Sequence, residues 1–337
     1  MVTTTVDLDA EGFHKGYLDV PVSLDDSAWS NQRVPIFSFK NGDGPGLLLL
    51  GGSHGDEFEG PVALSKLVHD HLEVADIAGQ VIVLPALNTP AVLKGTRLSP
   101  IDGGNMNRAF PGDPRGTATS RIAAFVTREL IPRADVVLDL HSGGRSLMFV
   151  PSTIVPVQKT PEATERILAL AAAFDAPLTI VLREAEVEAM IDAEVEAQGK
   201  LMLATELGGL GTLTPETTAI ALNGVLGVMS FMGIVGPRGR TGLQIDRAKT
   251  SRMVRVEGHS HYVYADENGV FEPFADLGDT IAAGTAIGRL HRVDRIEHPP
   301  AEVMASEDGI LVCKNGQGLA KRGDVLAVIG REEIASA

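Results

Sequence analysis

Leu47-Leu48-Leu49-Leu50-Gly51-Gly52-Ser53-His54-Gly55-Asp56-Glu57 is the stretch on which the reading of this chain turns. So short an apolar run, closed by glycines, reads as a strand buried on both faces, as in a parallel sheet covered by helices. Directly after it stand a histidine and a glutamate three positions apart, on a backbone that Gly51, Gly52 and Gly55 allow to turn sharply. A second apolar run, Val136-Val137-Leu138-Asp139-Leu140, ends in the same way, at His141. Two histidines and a carboxylate are the usual protein donors of a catalytic zinc, and three ligands leave the fourth tetrahedral position open. His54, Glu57 and His141 are therefore the expected ligands of one Zn2+ per chain. By itself an H-x-x-E string is as readily a solvated surface turn; His141 at a matching strand end gives it weight. Asp139 either faces the sheet interior or orients a ligand from behind.

Outward from these two runs, strand-like and helical segments alternate. Strand-like segments at 46–50, 81–84, 135–140, 178–182 and 201–205 are interleaved with helical patterns at 59–72, 120–130, 161–174, 184–198 and 216–232. Alternation of this kind predicts an α/β fold, a mostly parallel mixed sheet flanked by helices. Ligands in such folds collect beyond the carboxyl ends of the strands, which is where the expected metal ligands stand. The first forty residues, with Pro21, Pro35 and the turn Asn41-Gly42-Asp43-Gly44, read as short broken strands.

Composition shifts near Gly236-Pro237-Arg238-Gly239-Arg240. Beyond it the chain reads as short β segments between Gly and Asp turns, with no helix. The expected division is a zinc-dependent catalytic domain at 1–245 and a second, smaller all-β domain at 250–335. Gly278-Asp279-Thr280-Ile281 and Gly323-Asp324-Val325-Leu326 echo each other, resembling the quasi-symmetric halves of a biotinyl/lipoyl-type sandwich. The attachment lysine of such modules is missing, since 291–303 contains none. A lid or assembly role, including a homo-oligomer, is the expectation, rather than a carrier.

Of the 337 residues, 44% are apolar and 22% charged, enough for a sizeable core. Lys and Arg number 29 against 44 Asp and Glu, a formal charge of -15, which argues against nucleic acid and anionic membranes as partners. The single cysteine, Cys313, cannot form an internal disulfide and fits a reducing compartment. The N-terminus has neither a basic start nor an apolar stretch, and no run is long enough to span a bilayer. A cytoplasmic location is the default expectation.

Glu206, in Ala204-Thr205-Glu206-Leu207-Gly208-Gly209, closes another apolar segment. Burial there raises a carboxyl pKa and a nearby cation lowers it, so Glu206 is the candidate general base and acid. The bland alternative is a solvated or helix-capping glutamate. The long loop at 88–117 carries Arg97, Asn107 and Arg108; an arginine fork with an added amide suits a substrate carboxylate. A loop of that length inside a compact domain is more often functional than idle. The rival reading pairs Arg108 with a surface acid. His69 and His71, two apart on a helical pattern, point in different directions. His259 and His261 can share a strand face but lack a third ligand, and the acidic run from Glu184 to Glu196 reads as a solvated helix face. One of its members can instead meet a substrate ammonium.

The ordered set His54-Gly55-Asp56-Glu57, Asn107-Arg108, His141 and Glu206 resembles the succinylglutamate desuccinylase/aspartoacylase family, whose catalytic fold is that of zinc carboxypeptidases. Asp26-Ser27-Ala28-Trp29, the segment at 60–67, Ser99-Pro100-Ile101-Asp102 and the segment at 205–209 look like the branch that deacetylates N-alpha-acetyl-2,4-diaminobutyrate during ectoine breakdown. The resemblance implies zinc on His54, Glu57 and His141, and Glu206 as catalytic acid/base. It also implies Asn107 and Arg108 on the substrate carboxylate, with Arg97 polarising the scissile carbonyl. The arginine that reads a second carboxylate in aspartoacylases has no clear match here, Arg183 included. The implied activity is hydrolysis of the amide of a small N-acylated amino acid. The alternatives are a desuccinylase or aspartoacylase-type deacylase, a metallocarboxypeptidase, and a non-catalytic binding protein.

Overall fold

The computed structural model describes residues 1–158, 160–183, 190–236, 251–295 and 297–333. In the first half the strands are β1 (Thr3–Thr4), β2 (Gly12–Leu24), β3 (Ser27–Asn41), β4 (Gly46–Gly51), β5 (Gly79–Leu84) and β6 (Val136–His141). β7 (Leu147–Phe149), β8 (Ser152–Pro156), β9 (Leu178–Arg183), β10 (Leu201–Glu206) and β11 (Arg252–Glu257) follow. The helices are α1 (Glu59–Lys66), α2 (Thr89–Lys94), α3 (Ala118–Phe125), α4 (Pro161–Phe174), α5 (Ile191–Ala197) and α6 (Pro215–Phe231). None of them is long and apolar enough to cross a membrane.

The main sheet runs β1-β2-β3-β5-β4-β6-β10-β8-β9-β11. Its centre, β5-β4-β6-β10, is parallel throughout, as are β8-β9 and β9-β11, while β3 and β8 join it antiparallel. The expected mixed α/β architecture is therefore present. The all-apolar β4 has a simple cause. Leu47 and Leu49 enter one core with α1, α4 and α6, whereas Leu48 and Leu50 enter another with α3 and α5. Strand side chains alternate faces, so a strand covered on both sides must be apolar at every position. Each leucine so buried contributes about 2 kcal/mol.

Helix ends obey local chemistry. Thr117 caps α3, Thr160 followed by Pro161 opens α4, and Thr214 with Thr217 forms a capping box at α6. Gly224 lets α6 lie against Phe174 of α4: a Cβ there would fall 2.4 Å from the ring.

Three segments differ from the expected order, the loop at 88–117 among them, because it opens with α2. The N-terminal residues form one long hairpin, β2 with β3, rather than broken strands, and both prolines lie inside it. Pro21 stands beyond the β1 pairing and Pro35 before the β5 pairing begins, so each strand has a neighbour on one side only at its proline. A missing N–H costs nothing there. The residues between His141 and the helical pattern at 161–174, where the sequence pattern assigns no element, contain β7 and β8. Within the helical pattern at 184–198, α5 occupies Ile191–Ala197, and residues 184–189 lie outside the described residues. So does the expected domain boundary near 245–250.

Beyond β11 come β12 (Tyr262–Tyr264), β13 (Gly269–Pro273), β14 (Thr280–Ile281), β15 (Ala286–His291), β16 (Ala301–Met304), β17 (Gly309–Asn315), β18 (Leu319–Ala320) and β19 (Val325–Glu332). They form two antiparallel sheets, one containing β19, β17 and β14 with β12 beside β19, the other β16-β15-β13-β18. Phe271, Ile287, Leu311, Leu326 and Ile329 fill the core between them. The echoed sequences are echoed turns. Gly278 and Gly323 have φ of 89° and 91°, and the following Asp279 and Asp324 accept from the N–H groups of Asp276 and Lys321, both at 2.8 Å. This module is hydrogen-bonded to the main sheet through β19 on β11 and adds β17 against β7.

Candidate metal centre and active-site cavity

The turn after β4 is held by backbone hydrogen bonds on both sides. Leu87 N–H donates to Gly51 O at 2.9 Å, Asn88 N–H to Gly52 O at 3.0 Å, and Gly55 N–H to Thr96 O at 3.0 Å. Only glycine fits at 55, because a Cβ would sit 1.9 Å from the Ala91 carbonyl carbon. The turn leaves His54 and Glu57 each 2% exposed, and β6 delivers His141 at 7%. Donor atoms of His54, Glu57 and His141 all lie within 4.8 Å of one another.

Surrounding groups orient these donors. His141 Nε2 lies 2.9 Å from Asp139 Oδ2, and the Ser53 hydroxyl reaches both oxygens of that fully buried carboxylate at 3.1 Å. A proton held on Nε2 by Asp139 leaves Nδ1 as the donor, and Nδ1 points at Glu57 Oε2, 2.9 Å away. Glu57 Oε2 also accepts from the Ser142 N–H at 3.1 Å, and Oε1 from Arg97 Nη1 at 3.3 Å. His54 Nδ1 is enclosed with no hydrogen-bond partner. Burial, then the neighbouring His141 and Arg97, hold the His54 pKa down to about 2, so its ring is neutral. For His141, burial opposes protonation, but Asp139 and Glu57 outweigh it and raise the pKa well above 6.5. Two imidazoles and a carboxylate, with one buried lone pair unsatisfied and surplus negative charge behind, fit a divalent cation that would displace the proton from His141.

Glu206 ends β10, the parallel neighbour of β6, in register with His141. Its Oε2 is enclosed and unpartnered. Burial, reinforced by Glu57, pushes the carboxyl up to about 8, against the pull of His141 and Arg97. A cation beside it acts in the opposite direction.

The loop after α2 brings the remaining candidates. Met106, fully buried, anchors a 3-10 turn at Met106–Arg108. Asp102 pins the same loop to the start of α3, accepting from Thr119 N–H and Thr119 Oγ1 at 2.7 Å each and from Gly104 N–H at 3.0 Å. His54, Glu57, His141, Glu206, Arg97, Asn107 and Arg108 then line one cavity of about 430 Å³. The expected seven thus meet in one place. Apolar side chains of β7, β8 and β9 (Phe149, Ile154 and Ile180 among them) form its wall, continued by Val312 and Val328 of the C-terminal module. Tyr262 also lines it.

Sequence reading missed Ser53, the Ser142 N–H and this apolar wall. The β-branched run from Ser152 to Val155 was the available signal for β8, obscured by Pro151. Arg183 lines the cavity, 3.8 Å from Glu257. His259 and His261 lie in a 3-10 turn, His261 buried with Nδ1 2.6 Å from Ile329 O. Among the described residues the only metal-competent group is His54, Glu57 and His141.

A family model described as the succinylglutamate desuccinylase/aspartoacylase catalytic domain matches residues 43–232. The chain belongs to this family. It is 42% identical over 328 residues to the N-alpha-acetyl-L-2,4-diaminobutyric acid deacetylase of Halomonas elongata, covering 97% of this chain and 94% of that one. Among solved structures of the family, the product-bound ectoine utilization protein EutE (DoeB) of Ruegeria pomeroyi is 38% identical with a TM-score of 0.92, covering 98% of each chain. A succinylglutamate desuccinylase/aspartoacylase of Rhodobacter sphaeroides is 37% identical with a TM-score of 0.91, covering 99% of each chain.

Proposed function

We propose that this protein is a zinc-dependent amidohydrolase that deacetylates N-alpha-acetyl-L-2,4-diaminobutyrate. The observation carrying this reading is the convergence of the His54, Glu57 and His141 donors within 4.8 Å, beside Glu206 in an arginine-bearing cavity. The near full-length likeness to a relative bearing that name supports the substrate. The donor set, two imidazoles and one carboxylate, favours zinc. Held there, zinc would supply a Lewis acid for the acyl carbonyl and a lowered pKa for water.

The chain's own residues do the rest. Glu206 takes a proton from the attacking water and hands it to the departing α-nitrogen, so acetate and diaminobutyrate leave. Arg108 and Asn107 hold the substrate α-carboxylate through the planar fork and an added amide. Arg97, resting on Glu57, swings to the acyl oxygen as negative charge develops there. Residues 1–245 make up the catalytic part, and 250–335 a cover that narrows the cavity to small substrates. A cytoplasmic location belongs to the same reading.

A hydrolysis panel tests it: acetyl, succinyl and formyl derivatives of diaminobutyrate, ornithine, aspartate and glutamate, followed by release of the free amine. Acetyl-diaminobutyrate should give the highest kcat/KM. Preference for a succinyl or aspartyl derivative, or no hydrolysis by the zinc-loaded protein, overturns it.

A further inference from the structure

Three carboxylates of the described residues line the cavity: Glu57, Glu206 and Asp192. The first two have work to do, whereas Asp192 has none in the scheme above. It stands in the first turn of α5, between the buried Ile191 and the half-buried Ala193, and its Oδ1 is enclosed without a hydrogen-bond partner. Among the described residues no arginine, lysine or histidine forms an ion pair with it. Its carboxyl is raised above the usual aspartate range by burial, which the N–H groups of Ala193 and Asp192 offset only in part, and it feels the charges of Glu196 and Asp139. A desolvated, unpaired carboxylate is costly to keep in a cavity wall. A cation arriving with the substrate would repay that cost.

The substrate reading supplies one. N-alpha-acetyl-2,4-diaminobutyrate presents a carboxylate, an amide and a primary ammonium. Arg108 with Asn107 answers the first, and the metal centre with Glu206 the second. Asp192 lines the cavity together with Met202, which lies on the same face of β10 as Glu206, the proposed proton donor. Resting on that reading, we propose that Asp192 is a specificity-determining residue whose carboxylate binds the side-chain ammonium of the substrate. A neutral side chain of equal length then fits the cavity but leaves Asp192 unpaired. Discrimination against it follows.

The test compares N-acetyl-diaminobutyrate with N-acetylnorvaline, in which a methyl replaces the ammonium, on the zinc-loaded protein and its Asp192→Asn variant. Wild type should prefer the ammonium substrate. In Asp192→Asn, its KM should rise about 10- to 100-fold with kcat nearly unchanged, while kcat/KM for the norvaline derivative holds or improves. Asp192→Ser, which keeps a small polar side chain in the first helical turn, gives a second reading should the amide variant fold poorly. If both variants fold and retain the wild-type preference, Asp192 is only a helix-start residue and the inference is wrong. If wild type hydrolyses both compounds equally well, the inference fails while the proposed function stands; if it hydrolyses neither, the proposed function fails and takes this inference with it.

Discussion

In the proposed function Asp139 and Glu206 do opposite jobs with the same functional group, and environment alone separates them. Asp139 is fully buried yet satisfied by Ser53 and His141; Glu206 is enclosed with one oxygen unpaired. Replacing Glu206 by Gln keeps shape and metal donors but removes the proposed proton carrier. Turnover should fall by about 10²- to 10⁴-fold with zinc content unchanged, as measured by metal analysis beside initial rates. Asp139→Asn should instead loosen the metal by about 10- to 100-fold, read from competition with a chromophoric chelator, because His141 loses the partner that fixes its tautomer. At this scale the sequence was informative where rare side chains stand at strand ends, such as His54, His141 and Glu206, which the fold brings to one cavity. It was mute where the backbone acts, since the Ser142 N–H that holds Glu57 has no residue signature.

Elements decide whether those side chains meet. Asp102 is the clearest case: although burial pushes its pKa up, the hydrogen bonds from Thr119 and Gly104 win and hold it below 3.8. A carboxyl lowered in the folded state contributes stability in full above its unfolded pKa and loses it as pH falls through the lower folded value. Asp102→Asn should therefore cost about 1–2 kcal/mol near neutrality, the deficit closing below about pH 4, as urea unfolding at several pH values would record. KM should rise in the same variant, because the loop bearing Asn107 and Arg108 slackens. Gly55→Ala should be more damaging, since its Cβ meets the α2 backbone rather than a side chain that can move. The longer helices and the central strands were readable from their period, reinforced by capping at α3, α4 and α6, as at Thr214 with Pro215. The N-terminal hairpin was not, since a proline stops a strand only where both edges are paired, and pairing is a property of the sheet. β7 and β8 escaped for a related reason: three- and five-residue strands flanked by Gly144 and Pro151 are held by distant partners, β17 and β10.

Over the whole molecule, cavity and core share their walls. Stripping the cation should abolish hydrolysis and lower the unfolding temperature, and added zinc should restore both; mass action ties occupancy to folding. Differential scanning fluorimetry with and without chelator would register a shift if the three donors hold the ion as their spacing indicates. The second half of the chain was legible as β-rich from its turns, and its repeat from two Gly-Asp pairs, but not its attachment. β11 runs parallel with β9 and extends the main sheet in full register, and the apolar faces of Leu178 and Ile180 pack on Val254, Val256 and Val328. That ladder has a practical meaning for anyone trimming the protein to the matched segment at 43–232. Such a fragment would bare the whole rim of β9 with its amides unmet, beside a sticky aliphatic patch, and self-association through that rim should follow. Far from being a detachable accessory, the C-terminal portion is what keeps the enzyme's sheet from recruiting a stranger.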